Sequence, residues 1–282
     1  MRKKTRRARA LHQVLTPEQY ARTKHDTPYL YTLGAGDDAL CFVGAHHSTD
    51  TNDTLFSTIE EQFHAHAPDV VVVEGAQNLQ GAAGTERLVQ SLSREEAIER
   101  GGESIFALQQ AVASNTPWLC PEPSDAALMR HLSLQLYTQD TLLAWYVLRL
   151  LNQYHRRNES TSFSLYVVPF LSFLAKETGW SEKLCTYEAA TETAGRILGY
   201  TPNIHNPERA EEYTDPIPWP HRWEQQTRFN EISRASLQYR DRYIIRRVSD
   251  ELLRGKRVFV VYGAGHAVMQ EPAYRYLLTM QK

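Results

Sequence analysis

Four consecutive valines, Val70 to Val73, stand between Pro68-Asp69 and Glu74-Gly75. A run this short, β-branched throughout and without polar alternation, fits a strand covered on both faces, as in a parallel sheet between helical layers. From Asn52 the preceding pattern is helical, with Leu55, Ile59 and Phe63 four apart, and Pro68-Asp69 ends it. Arg257-Val258-Phe259-Val260-Val261-Tyr262 is a second apolar run. It follows a long helical pattern, about 229–253, that Gly255 closes as its C′ residue, and it precedes a C-terminal helix. Two earlier extended runs, 29–33 and 39–43, flank Gly34-Ala35-Gly36-Asp37-Asp38, which has the residues of a hairpin turn. Residues 103–114 read as helix and 117–120 as a short strand. The expected fold is α/β, a mostly parallel central sheet flanked by helices.

The middle of the chain is different. From Ser124 to about Gly199 it is helical and strand-poor, with Asn158-Glu159-Ser160-Thr161-Ser162 as its clearest loop. Five prolines (202, 207, 216, 218 and 220) then mark an irregular connection or lid. The expectation is one α/β domain over 26–282 with a helical insertion at about 124–220. Its aromatics, Trp145, Tyr146, Phe163, Tyr166, Phe170 and Phe173, fit an apolar cavity, a homodimer face or ordinary core packing, three readings that stay open.

With 282 residues, 42% hydrophobic and 23% charged, the chain has ample apolar content for a core, which excludes disordered, collagen-like and disulfide-scaffold classes. Thirty-one Lys and Arg against 33 Asp and Glu leave a formal charge of −2 and no global reason to expect a specific nucleic-acid partner. Cys41, Cys120 and Cys185 lack zinc spacing and fit buried thiols in a reducing compartment. Residues 1–25 open with six cations in nine residues and no apolar stretch behind them, the composition of a flexible basic arm rather than a secretory signal. The most apolar windows, 141–151 and 163–175, are too short or too interrupted to cross a bilayer. A cytoplasmic protein without a membrane partner is expected.

Three strands end in residues that a purely structural strand end does not need. Val43 leads into Gly44-Ala45-His46-His47, Val73 into Glu74-Gly75, and Tyr262 into Gly263-Ala264-Gly265-His266. Ligands of open α/β sheets sit at the carboxyl ends of strands. A glycine there permits a sharp turn and close backbone approach, so each Gly-x-x-His sets an imidazole over the sheet edge. On the long helix, Leu237, Ile244, Ile245, Val248 and Leu252 form an apolar stripe with Asp241 in its middle and Arg240 at its margin. A carboxylate on such a face is paired, hydrogen-bonded or metal-bound. It either caps or pairs structurally, or it reaches the same crevice with Arg240 and orients a histidine or Glu74.

This order of motifs resembles the TraB/TIKI superfamily, whose wider relatives include ChaN-like haem-binding lipoproteins and the erythromycin esterases. The match rests on Gly44-Ala45-His46-His47, Val73-Glu74-Gly75, Tyr239-Arg240-Asp241 and Gly263-Ala264-Gly265-His266 and brackets residues 40–280. The resemblance implies a site at the strand ends and, from the TIKI members, metal-dependent proteolysis. His47 and His266 would then be metal ligands and Glu74 a third ligand or the general base. Other relatives imply a metal-free histidine acting on an ester, and the ChaN-like ones imply haem or small-ligand binding without turnover.

Two imidazoles and a carboxylate with open positions suit Zn, Mn or Co, whose bound water would ionise near neutrality. Without metal, a carboxylate-oriented histidine can deprotonate water. The expected function is therefore an amide or ester hydrolase, metal-assisted or metal-free, acting on a small molecule or a peptide. Its catalytic set is Glu74, His47, Arg240 and Asp241. Arg240, Glu122 and His46 are the substrate-binding candidates, and no organic cofactor site is assigned. Glu103 reads as serving the first turn of its helix, Asp50 as the cap of the helix at Thr54, and His64 and His66 as surface residues. No Gly-x-Ser-x-Gly elbow, Walker A loop or dinucleotide fingerprint is present.

Overall fold

The computed structural model describes residues 2–34, 39–75, 81–156, 160–216 and 227–279. Parts of the expected 34–38 turn, the 158–162 loop and the proline-rich connection, including Pro218 and Pro220, lie outside them. The chain divides into two compact units, residues 1–122 with 240–282, and residues 123–239. The insertion is thus longer than the expected 124–220.

The first unit holds all five strands. They are β1 (Tyr29–Leu33), β2 (Leu40–Ala45), β3 (Val70–Val73), β4 (Trp118–Leu119) and β5 (Val258–Gly263), in spatial order β1-β2-β5-β3-β4. Only the β1–β2 pair is antiparallel. The α/β expectation holds, and the last strand of the chain fills the centre of the sheet.

The valine run shows why. Val71 and Val73 join Cys41, Val43, Phe259 and Val261 on one face, under α3 (Thr54–His66) and α5 (Arg94–Ala113), through Leu55, Phe56, Ile59 and Phe106. Val70 and Val72 join Phe42, Val258, Val260 and Tyr262 on the other. That face packs on Ile244, Ile245, Val248 and Leu252 of α11 (Arg228–Leu252) and on Tyr274 and Leu277 of α12 (Ala264–Thr279). A strand apolar at every position has to be buried on both sides.

Residues 1–25, expected as a free arm, carry α1 (Arg2–Ala10) and α2 (Pro17–Tyr20). Ala10 is buried, the Leu15 N–H donates to the Met269 carbonyl, and Arg7 pairs with Asp250 of α11. The helix after β2 is capped by Asp53, whose Oδ1 accepts from the Leu55 N–H at 2.9 Å, and not by Asp50, which instead accepts from Asn52. His66, expected at the surface, is buried beside the Phe259 ring. Between β3 and α5 lies α4 (Gly81–Gln90).

The second unit is helical. It comprises α6 (Asp125–Ser133), α7 (Gln139–Arg156), α8 (Phe163–Thr178), α9 (Tyr187–Leu198), α10 (Pro207–Thr214) and residues 228–239 of α11. Trp145, Tyr146, Phe163 and Tyr166 are core residues, and the Trp145 indole donates to Ser233 at 2.8 Å. Phe173 stays exposed. Ordinary packing accounts for most of the aromatic content here. Among the described residues no helix is long and apolar enough to cross a membrane.

Candidate active site

Register builds the site. Ala45 pairs with Gly263, Val73 with Val261 and Val72 with Leu119, so β2, β5, β3 and β4 end at one rim. The residues that follow, His46-His47, Glu74, His266 and Glu122, come to that rim from four separate stretches of sequence.

Gly44 lets α12 start close to β2. A Cβ on it would stand 2.6 Å from Ala267 Cβ and 3.1 Å from Ala264 Cα. His266 therefore sits in the first turn of α12, buried beneath the rim. Its Nδ1 lies 2.6 Å from Oδ1 of Asp241, and its Nε2 faces Glu74 Oε1 at 3.7 Å. Asp241 is fully buried on α11. The same Oδ1 accepts from Gln270 Nε2 at 2.7 Å, and the Gln270 carbonyl accepts from the Tyr274 hydroxyl at 2.9 Å. Gln270 and Tyr274 extend the network with no signal in the sequence that singles them out.

His47 has its own carboxylate. Its Nδ1 lies 2.7 Å from Oε1 of Glu103, whose side chain is only 6% exposed whereas the His47 ring is 57% exposed. Glu103 opens the helical stretch that follows a break inside α5, the first-turn position read from the sequence, and its carboxylate also reaches His47. Gly102 takes φ 57°, ψ −148°, a conformation closed to other residues, and a Cβ on it would meet the Ser48 carbonyl at 2.8 Å. The break brings α5 against the segment that carries His47. Two glycines in a row before Glu103 were the available signal.

Glu74 stands between the two histidines. Its Oε2 accepts from the Gly263 N–H at 3.0 Å and its Oε1 from Arg240 Nη2 at 3.1 Å. A Cβ on Gly263 would lie 3.5 Å from Glu74 Oε2 and 3.9 Å from His47 Nε2, so carboxylate and imidazole converge over that glycine. Arg240 is locked from the other side, its Nε and Nη2 each 2.9 Å from a different oxygen of Glu122. This two-point contact fixes the plane of the guanidinium. Arg240 thus reaches Glu74 at the rim, while Asp241 stays fully buried beneath it and pairs with His266. His46 faces elsewhere, its Nε2 2.7 Å from Oδ2 of the α3 cap Asp53.

Charge follows from these contacts. Burial pushes the Glu74 carboxyl up, but the His266 and Arg240 charges, the Gly263 N–H and His47 outweigh it and bring its pKa to about 2. Burial favours neutral His266. The Asp241 carboxylate, as charge and as acceptor, together with Glu74, reverses that and raises the His266 pKa above the ordinary imidazole value. At neutral pH Glu74 is ionised and faces the Arg240 guanidinium, with the His266 imidazole beside it.

A divalent ion does not fit this set as it is arranged. Among the described residues no three side chains of His, Cys, Asp and Glu stand so as to hold a metal. Both Glu74 oxygens already have donors, Arg240 Nη2 on Oε1 and the Gly263 N–H on Oε2. No protein-family model matches the chain, and no curated protein or solved structure matches it either.

Proposed function

We propose that this chain is a hydrolase of TraB/TIKI type that cleaves a carbonyl ester or amide by histidine acid–base chemistry. One observation carries the reading: two carboxylate-backed imidazoles, His47–Glu103 and His266–Asp241, converge on the single carboxylate Glu74.

The roles follow from exposure and charge. His47 is the accessible imidazole, and Glu103, by accepting from Nδ1–H, makes Nε2 the basic nitrogen. A water at Nε2 loses its proton to His47 as its oxygen attacks the substrate carbonyl, the assistance typically worth roughly 10²–10⁴ in rate. The tetrahedral intermediate then collapses: the carbonyl re-forms, the C–O or C–N bond breaks, and the leaving alcohol or amine takes the proton back from His47. Arg240 stands ready to stabilise the developing oxyanion, preorganised by Glu122 so that no reorientation is needed as charge appears. His266, whose protonated form Asp241 and Glu74 favour against burial, stands beside Glu74. Glu74 keeps Arg240, His266 and the Gly263 backbone in register. Cys41, Cys120 and Cys185 are not in disulfides, compatible with the cytoplasmic setting we propose.

Metal assistance, which the resemblance implies, is the second reading. It is favoured by the two imidazoles held through Nδ1 by carboxylates, the arrangement that orients metal-ligating histidines. Protein purified without a histidine tag is screened against ester and amide substrates with and without chelator. Chelator-insensitive turnover that falls at least about a hundredfold in His47→Ala supports the proposal. Chelator-sensitive turnover moves it to the metal reading. A Soret band on haem titration with no hydrolysis replaces both with a ligand-binding role of ChaN type.

A further inference from the structure

The near-neutral total charge conceals a segregated one. Residues 1–10 and 240–257 hold thirteen cations and three acids, and ten of the cations are arginines. Both segments belong to the first unit, and Arg7 of α1 pairs with Asp250 of α11, which links the two.

Every acid in this set is already engaged. Asp241 is held by His266 and Gln270, Asp250 by Arg7, and Glu251 by Arg254 and Lys256. Arg242, Arg246 and Arg247 are exposed, and among the described residues they make no ion pair; Arg9 on α1 is exposed in the same way. Arg242, Arg246 and Asp250 are four apart on α11, one ridge with a step of about 6 Å. Arg7 seated on Asp250 brings a guanidinium to the third step, and Arg254, paired with Glu251, follows just past the helix end.

We propose that this face binds the phosphodiester backbone of a nucleic acid without reading its sequence. Guanidinium forks match phosphate oxygens two at a time, and a row of them neutralises consecutive phosphates. The face offers nothing to a bilayer interior. The basic α1 has only threonine and alanine beside its cations, and none of the large exposed apolar residues lies on α1 or on residues 240–252 of α11. An interfacial helix needs an apolar side. The inference is independent of the hydrolase reading.

The test is fluorescence anisotropy of a labelled mixed-sequence 20-nucleotide strand, as DNA and as RNA, with the full chain over a series of salt concentrations. Binding should weaken steeply with salt. Arg242→Glu/Arg246→Glu/Arg247→Glu should weaken it at least tenfold and flatten the log–log salt slope by about two to three, one per lost phosphate contact. Lys24→Glu/Lys176→Glu/Lys183→Glu changes net charge equally and should leave binding nearly unchanged. Arg9→Glu alone should cost several-fold, a second reading from the other helix. No binding at low salt, equal losses in both triple variants, or binding to phosphatidylserine vesicles but not to either strand overturns the proposal. Circular dichroism melts of each variant exclude unfolding as the cause.

Discussion

The Nδ1 of His266 lies 2.6 Å from Oδ1 of Asp241, a buried pair joining the first turn of α12 to the middle of α11. It settles how a carboxylate can sit in the apolar stripe of a core helix. Asp241 faces Ile244, Ile245 and Val248 along its own helix, yet it accepts from the imidazole and from Gln270. The pair also carries a pH signature. A histidine whose pKa is raised by folding contributes stability that is complete below its unfolded value, near pH 6.5, and that disappears as pH rises through the folded value. Wild-type protein should therefore lose stability in urea between pH 6 and pH 9. Asp241→Asn should be about 2–3 kcal/mol less stable at pH 6 and lose less on going to pH 9, because Glu74 is then the one carboxylate left to oppose burial at His266.

Glu74 has the opposite sign. Its pKa falls from the ordinary 4.5 to about 2, so its contribution is complete above pH 4.5 and is lost as pH falls toward 2. Glu74→Gln should flatten the acid limb of the stability profile between those values. At pH 7 it should cost about 1–3 kcal/mol, less than breaking a fully buried pair, because Arg240 keeps Glu122. Urea titrations at pH 3, 5 and 7 separate the two effects.

Gly102 connects backbone strain to the exposed histidine. Gly102→Ala forces an L-residue into φ 57°, ψ −148° and its Cβ against the Ser48 carbonyl. The expected loss is about 1–3 kcal/mol, read by thermal or urea unfolding. Glu103→Gln leaves that backbone alone. It should change stability little but lower turnover by roughly 10–10²-fold, since a neutral amide no longer fixes the His47 tautomer as a carboxylate does.

These contrasts show what the sequence could and could not disclose. The rim was legible because strand ends are marked twice, by the switch from apolar to polar at Val43, Val73 and Tyr262 and by the glycines beside them. Asp241 was legible because a charge interrupts a periodic stripe. Glu103 was legible as the start of a helix, but its contact with His47 was not, because the break at Gly102 brings it there through a close approach to Ser48 that two glycines permit but do not specify. His46 and His47 differ by one position, and the sequence does not say which ring faces Glu74; Asp53, the cap of α3, holds His46 away from it. Gln270 and Tyr274 lie on a helix apolar enough to hide them. In 123–239 the apolar pattern specifies helices, and helices alone carry no chemistry.

Gly44 and Gly263 begin the two Gly-x-x-His units, and the same substitution should separate their roles. At Gly44 the added Cβ meets Ala267 Cβ at 2.6 Å, the Tyr29 carbonyl at 3.0 Å and Ala264 Cα at 3.1 Å. Two of those neighbours are backbone, so either β2 or α12 must shift, an overpacking cost of about 1–3 kcal/mol. At Gly263 the nearest atoms are Glu74 Oε2 at 3.5 Å and His47 at 3.9 Å, ordinary contact distances, and its φ lies outside the left-handed range. Gly263→Ala should therefore fold with stability within about 0.5 kcal/mol of wild type. Its methyl group, however, stands where Glu74 and His47 converge, the place the proposed chemistry leaves for water or substrate. Unfolding curves should separate the variants by their midpoints, with Gly44→Ala the lower. Turnover per folded molecule should fall in Gly263→Ala, chiefly through kcat, and a Gly263→Ala enzyme as active as wild type would move the reacting carbonyl away from this glycine.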